Sequence, residues 1–212
     1  MAEQGSAEWL LARVGKVTAS RVADVIAKTK TGPGASRANY MAELIAERLT
    51  GAPAERFVTG PMAWGTEKEP EARDLYAFIT DAEIVQVGFI EHPSISMCGA
   101  SPDGLVGTDG MVEIKCPNTA GHIDTLLGQT VPAKYVTQMQ WQMACTGRQW
   151  CDFVSYDPRL PDSMRLFVQR IERDDQFIEK TSQEIVSFLE ELSDKEQALR
   201  TRYEPAMLEA AE

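Results

Sequence analysis

The chain is short of the residues from which zinc and iron–sulfur centres are built. It has two histidines and four cysteines in 212 residues. Cys98, Cys116, Cys145 and Cys151 form no Cys-x-x-Cys pair, so zinc-ligand spacing and the tight pairing common in iron–sulfur sites are both missing. Buried free thiols in a reducing compartment are the expectation. Long apolar runs are lacking as well, none approaching the ~18 residues that a membrane span requires. Residues Met1 to Glu8 have neither the basic region nor the apolar stretch of a secretory signal, and a soluble, intracellular protein is expected. Positive charge is also scarce. With 21 Lys and Arg against 32 Asp and Glu, the formal net charge is −11, a balance that repels phosphate overall.

What is present is ordinary globular material, 43% hydrophobic, 25% charged and 8% aromatic, enough to bury a core. The length suits one domain, 1–212, with a long acidic helix near its C-terminus. The charges are unevenly placed. Between Arg13 and Arg37 lie Lys16, Arg21, Lys28 and Lys30 against Asp24 alone, whereas Glu172 to Glu212 carries 12 acids against five bases. The first segment could face an anionic polymer while the second faces solvent, or both could be solvated faces.

Hydrophobic periodicity predicts a short helix over Ala7–Leu11 and a turn at Gly15. A second helix follows, capped by Thr18 or Ser20, with Val22, Val25 and Ile26 inward. Thr29–Ser36 reads as a loop. Further helices are expected over Asn39–Thr50, stopped by Gly51, over Thr66–Ile79 and over Ala133–Cys145. Glu83–Ile90, Ser94–Gly99, Gly104–Val106, Met111–Lys115, Trp150–Tyr156 and Arg165–Ile171 have strand character. Asp174 to Tyr203 is a long helix with one apolar stripe. Together these give an α/β (α+β) fold, a central mixed sheet flanked by helices.

The segment richest in chemistry is Ala100-Ser-Pro-Asp-Gly-Leu-Val-Gly-Thr-Asp-Gly-Met-Val-Glu-Ile-Lys-Cys-Pro117. On a strand, Glu113 and Lys115 share a face because side chains alternate. The Gly-rich turn before them could fold Asp103 back alongside as a hairpin. Two carboxylates beside an ammonium suit phosphodiester hydrolysis. Hard oxygen ligands without histidine favour Mg²⁺ or Mn²⁺ over zinc, and Lys115 could orient or help deprotonate water and offset transition-state charge. A turn Asp followed by an exposed Glu/Lys strand face is the bland alternative.

The Ser-Pro-Asp-Gly and Glu-Ile-Lys-Cys-Pro of this block resemble the active-site core of phage-lambda-type recombination exonucleases. That is a YqaJ-like viral recombinase family within the restriction-endonuclease-like superfamily. Trp9-Leu-Leu-Ala-Arg-Val-Gly-Lys-Val-Thr-Ala-Ser20 is similar to the family's N-terminal phosphate-binding block, and Met62-Ala-Trp-Gly-Thr-Glu-Lys-Glu-Pro-Glu-Ala-Arg73 to its Ala-Trp-Gly helix. The resemblance runs on through Tyr135–Trp141 and Ser155–Arg159 to about Ile171. It implies that Asp103, Glu113, the main-chain carbonyl of Ile114 and Glu69 bind metal. Glu67 and Glu71 lie close enough in sequence to share the role of Glu69. Lys115 matches the catalytic lysine, and Gln138 a glutamine near the attacking water, while for Gln140 and Gln142 the alternatives are a similar match and a plain polar helix face. Arg13 matches the arginine that grips a 5′ phosphate, with Ser20 a second donor. Trp9 and Met62 resemble residues that stack on and wedge apart terminal base pairs, although Met62 departs from the type residue and could equally be a buried hydrophobe. Lys30, beside the Gly-Pro-Gly loop, is a candidate duplex contact.

The activity implied is Mg²⁺-dependent 5′-to-3′ digestion of one strand of double-stranded DNA, releasing 5′-mononucleotides and leaving 3′ tails. The implied partners are DNA ends, two further copies in a homotrimeric ring and a single-strand annealing protein, in the cytoplasm of a phage host. An endonuclease or repair nuclease on the same core, and a catalytically inactive DNA-binding module, are the rival readings. The acidic C-terminal segment is read as a solvated helix, with a docking surface as the alternative.

Overall fold

A computed structural model describes residues 2–30, 32–54 and 59–204. The N-terminal part comprises α1 (Ala7–Ala12), β1 (Val17–Thr18), a 3-10 turn (Ala19–Arg21), α2 (Val22–Val25), the strands β2 (Lys28–Thr29) and β3 (Gly32–Pro33), α3 (Ala35–Thr50) and α4 (Gly60–Thr80). The middle holds β4 (Ile84–Val85), β5 (Ile90–Glu91), β6 (Cys98–Ala100), β7 (Gly104–Val106) and β8 (Gly110–Lys115). After these come α5 (Thr119–Gly128), α6 (Ala133–Thr146), β9 (Trp150–Tyr156), β10 (Leu166–Glu172) and α7 (Asp175–Tyr203).

A mixed five-stranded sheet, order β10-β9-β8-β7-β4, forms the centre, with β8 and β9 parallel and the other pairs antiparallel. Because β8 is covered on both faces, its run Met-Val-Glu-Ile is buried throughout. Val112 and Ile114 pack with Ala72 and Tyr76 of α4, while Met111 packs with Met139 and Met143 of α6. Alternation therefore puts Glu113 on the face that looks toward α6. A smaller sheet, β1-β6-β5, lies beside α6. Around it α2, α3, α6 and α7 bury Val22, Tyr40, Leu44, Trp141, Ile185 and Phe188 in one core.

Several boundaries depart from the periodicity reading. Thr29–Ser36 is not a plain loop, since β2 and β3 pair within it and α3 starts at Ala35; Thr31 lies outside the described residues. Neither Thr18 nor Ser20 caps a helix with its side chain. The helix expected from Thr66 starts at Gly60, because Pro61 suits the first turn, and it runs through Pro70. Within Glu83–Ile90 and Ser94–Gly99 only short pieces pair as strands. The helix α5 was not anticipated. Its N-cap Asn118 accepts from the Gly121 N–H at 2.8 Å. Among the described residues no helix is long and apolar enough to cross a membrane. The four cysteines are buried and unpaired, and burial pushes the Cys98 and Cys116 thiols up to about 12.

Candidate active site

The site is built first by a hairpin. β7 and β8 pair with Gly104 opposite Val112, which carries Asp103 back beside Glu113. The Ile114 N–H donates to Asp103 Oδ2 at 2.6 Å and fixes that carboxylate. Gly107, at φ +52°, makes the return possible where an L side chain would be strained.

Glu113 is 0% exposed, so its charge depends on donors rather than water. Lys115 donates to Oε1 in a short charged contact, Gln138 Nε2 donates to the same oxygen at 2.5 Å, and Gln142 Nε2 donates to Oε2 at 2.6 Å. Both glutamines come from α6, four residues apart and hence on one helix face. Desolvation would lower the Lys115 pKa, but Glu113 and Asp103 outweigh it and hold the ammonium above the usual lysine range. Beside these carboxylates the Lys115 ammonium is held in its protonated form. Asp103 keeps some accessible surface, yet desolvation first and Glu113 second lift its carboxyl well above the ordinary range.

A cavity of about 140 Å³ joins these groups to the N-terminal segment. It is lined by Asp103, Glu113, Lys115 and Gln138 together with Trp9, Arg13 and Ser20. The Arg13 guanidinium lies 3.8 Å from the Trp9 ring centroid, and the Trp9 indole N–H donates to Ser101 Oγ at 2.9 Å. Trp9 is therefore half-buried and tied beside Asp103, with one face covered by Arg13. Behind Arg13, the Gly15 N–H donates to Glu47 Oε2 at 2.8 Å and Arg48 Nε donates to the Gly15 carbonyl at 2.9 Å. α3 thereby clamps the turn that follows Arg13.

Glu69 does not line the cavity but feels Lys115 and Glu113 electrostatically. Desolvation raises its pKa against the pull of Arg73, its partner one helical turn on. Glu67 pairs with Lys68 at 3.2 Å, and Glu71 accepts from the Tyr156 hydroxyl at 2.5 Å. Glu69 is thus within electrostatic reach of the carboxylate cluster while its own bond is to Arg73. Met62 is 50% exposed on the first turn of α4, so it is not a buried hydrophobe. Lys30 is exposed beside β2 and lines no part of the cavity. Gln140 and Gln142 are buried, which removes the polar-face reading. Gln140 ties the start of α7, donating to the Glu172 carbonyl at 2.7 Å and accepting from the Asp174 N–H at 2.9 Å.

Sequence reasoning also passed over Gln4, whose amide donates to the Val87 and Pro102 carbonyls at 2.8 Å each and straps the N-terminus beside Asp103. Nothing local marks it. For Gln142 the four-residue spacing from Gln138 was the available signal.

Among the described residues no three His, Cys, Asp or Glu side chains converge closely enough to form a metal cage by themselves. The donors that do converge are the carboxylates of Asp103, just before β7, and Glu113, on β8. They are hard oxygens under mutual repulsion, a set that fits a divalent cation of the Mg²⁺ type.

Residues 8–149 match the family model described as the YqaJ-like viral recombinase domain. The chain is similar to the alkaline exonuclease LHK-Exo of Laribacter hongkongensis, at 54% identity and TM-score 0.88 over 93% of this chain and 97% of that one. The same figures hold for that enzyme in complex with dAMP. A phage-related exonuclease from Haemophilus somnus 129PT shares the fold, with TM-score 0.71 at 17% identity over 88% and 96% of the two chains. An uncharacterised protein of Acanthamoeba polyphaga mimivirus is 29% identical over 121 residues, and the match spans 50% of this chain but 22% of that relative's length.

Proposed function

The chain belongs to the YqaJ-like viral recombinase family and is a nuclease on a restriction-endonuclease-like α/β core; from that premise we propose that it digests one strand of double-stranded DNA from the 5′ end. The products are 5′-mononucleotides and a 3′ single-stranded tail. The observation that carries the reading is the shared cavity, in which an arginine and a hydroxyl stand across from two carboxylates and a lysine. A site that holds an end phosphate beside the hydrolytic groups takes nucleotides from an end.

Asp103, Glu113 and the carbonyl of Ile114, with Glu69 nearby, would hold Mg²⁺ or Mn²⁺. Bound there, the cation supplies Lewis-acid polarisation of the scissile phosphate. Lys115, kept protonated by its carboxylate neighbours, donates toward charge that develops on phosphoryl oxygens. Gln138, with its amide at the same carboxylate oxygen as Lys115, orients the attacking water. Arg13 makes paired bonds to a terminal 5′ phosphate, with the Ser20 hydroxyl as a second donor, and Trp9 holds the guanidinium flat. Met62, exposed on α4, is available to wedge the terminal base pair, and Lys30 contacts the duplex farther out. The chain acts as one nuclease domain, as a homotrimer, with a single-strand annealing protein, in the cytoplasm of a phage host.

The test is digestion of end-labelled linear duplexes, with and without a 5′ phosphate, beside a closed circle, in Mg²⁺ and in chelator. Cation-dependent release of mononucleotides from the linear 5′ strand, with the circle intact, is expected. A charge-assisted paired contact is worth about 1.5–3 kcal/mol, so phosphorylated ends should be preferred by about tenfold to 150-fold. Arg13→Ala should erase most of that preference and leave hydroxyl-ended rates nearly unchanged. Cutting of the circle at a similar rate would establish an endonuclease, and an unaltered end preference in Arg13→Ala would remove the phosphate assignment.

A further inference from the structure

We infer that Gln142 is a positioning residue for the cation site, setting the orientation of the Glu113 carboxylate from the side opposite Lys115. The inference rests on the metal-dependent reading of this site. Glu113 has two oxygens and three donors. Lys115 and Gln138 both bond Oε1, so among the described residues Gln142 alone holds Oε2. Gln142 is 0% exposed, so its amide is shielded from bulk solvent. It pins one carboxylate oxygen against α6 and leaves the other turned to the cavity.

The amide is held in one orientation by charge. Turned over, it would set its carbonyl oxygen against the Glu113 carboxylate. In the orientation observed, Oε1 is buried and has no hydrogen-bond partner. Nearly all buried polar atoms in native structures are satisfied, so an orphan of this kind needs an explanation. Here the oxygen is left unpaired because the nitrogen is needed at Glu113. An apolar side chain of the same length would carry no orphan oxygen, but Glu113 would lose the one donor that the described residues give to Oε2. Gln140, two residues earlier, is also buried and makes two bonds, to backbone at the end of β10 and at the N-cap of α7, and neither to the site. The two glutamines thus separate a structural role from a positioning one on a single helix.

The experiment titrates Mn²⁺ into the full chain by calorimetry without DNA, for the wild type, Gln142→Met and Gln140→Met, with thermal unfolding measured alongside. Groups that orient a metal ligand typically alter affinity or activity by 10–100-fold. Gln142→Met should therefore weaken Mn²⁺ binding by about tenfold or more and lower kcat while KM for duplex DNA changes little. Gln140→Met should lower the unfolding temperature and leave Mn²⁺ affinity at the wild-type value. If Gln142→Met does not fold, Gln142→Asn, whose shorter amide cannot reach Oε2, carries the same expectation. A folded Gln142 variant with wild-type Mn²⁺ affinity overturns the inference, as does an equal loss in Gln140→Met. Failure of the wild type to bind Mn²⁺ overturns the metal-dependent reading as well, and so distinguishes the two.

Discussion

Lys115 shows how a single side chain is assigned by its surroundings. Its side chain is 26% exposed and its ammonium is bonded to a fully buried carboxylate, and the negative charges around it outweigh desolvation. In the proposed reaction a lysine held protonated in this way acts as a donor, and its contribution then belongs to the transition state more than to ground-state binding. Lys115→Ala should lower turnover by roughly 100-fold or more, the magnitude seen when one preorganised donor is removed, with DNA affinity preserved. Single-turnover cleavage at saturating enzyme, beside equilibrium binding, measures both quantities. Normal cleavage with collapsed binding would make the residue a phosphate anchor instead. Glu113 keeps two amide donors in this variant, so its charge is not stranded.

At the scale of elements, the acidic C-terminal helix is a core member from Ile178 to Leu192. Along α7, Ile178, Ile185, Phe188 and Leu192 are buried against α2, α3 and α6, while residues 205–212 lie outside the described residues. Its acids meet the bases of the N-terminal segment, Glu184 with Lys28 at 2.5 Å and Glu191 with Arg37 at 2.7 Å. Arg21 is engaged by Asp24 and Glu43, and Lys16 by Glu91. The basic stretch is therefore largely neutralised within the chain, and only part of it addresses the cavity. These ion pairs are partly exposed and each contributes little, so the helix is held by its apolar stripe. Phe188→Ala should destabilise the fold by about 3–5 kcal/mol, read as a shift of the denaturation midpoint. A change under 1 kcal/mol would mean that α7 is an appendage. Neutralising Glu184 or Glu191 should cost far less.

For the whole molecule the question is how a chain of net charge −11 keeps hold of a polyanion. Long-range attraction does not supply the grip. Enclosure of the duplex by a ring would, and the proposed homotrimer is the assembly that would provide it. Light scattering at assay concentrations should give three times the 23.5 kDa chain mass. A monomeric mass together with long uninterrupted digestion runs would remove enclosure as the explanation.

What the sequence determined by itself was whatever depends on neighbours along the chain. Asp103, Glu113 and Lys115 lie on one short hairpin, so strand alternation and a Gly-rich turn were enough to bring them together. The helices over Ala133–Thr146 and Asp175–Tyr203 were legible because one face of each is continuously apolar. The helix Thr119–Gly128 was not, since its threonines, glycines and buried His122 give no such stripe. Tertiary structure decided the rest. The pairing of Lys28 and Arg37 with acids about 150 residues away could not be read from local charge, because a base looks the same whether it faces DNA or a glutamate. The strap formed by Gln4 and the grip of Gln142 on Glu113 likewise exist only where separate elements meet. A polar side chain is given its partner by packing, and periodicity along a chain carries no information about which element will arrive opposite.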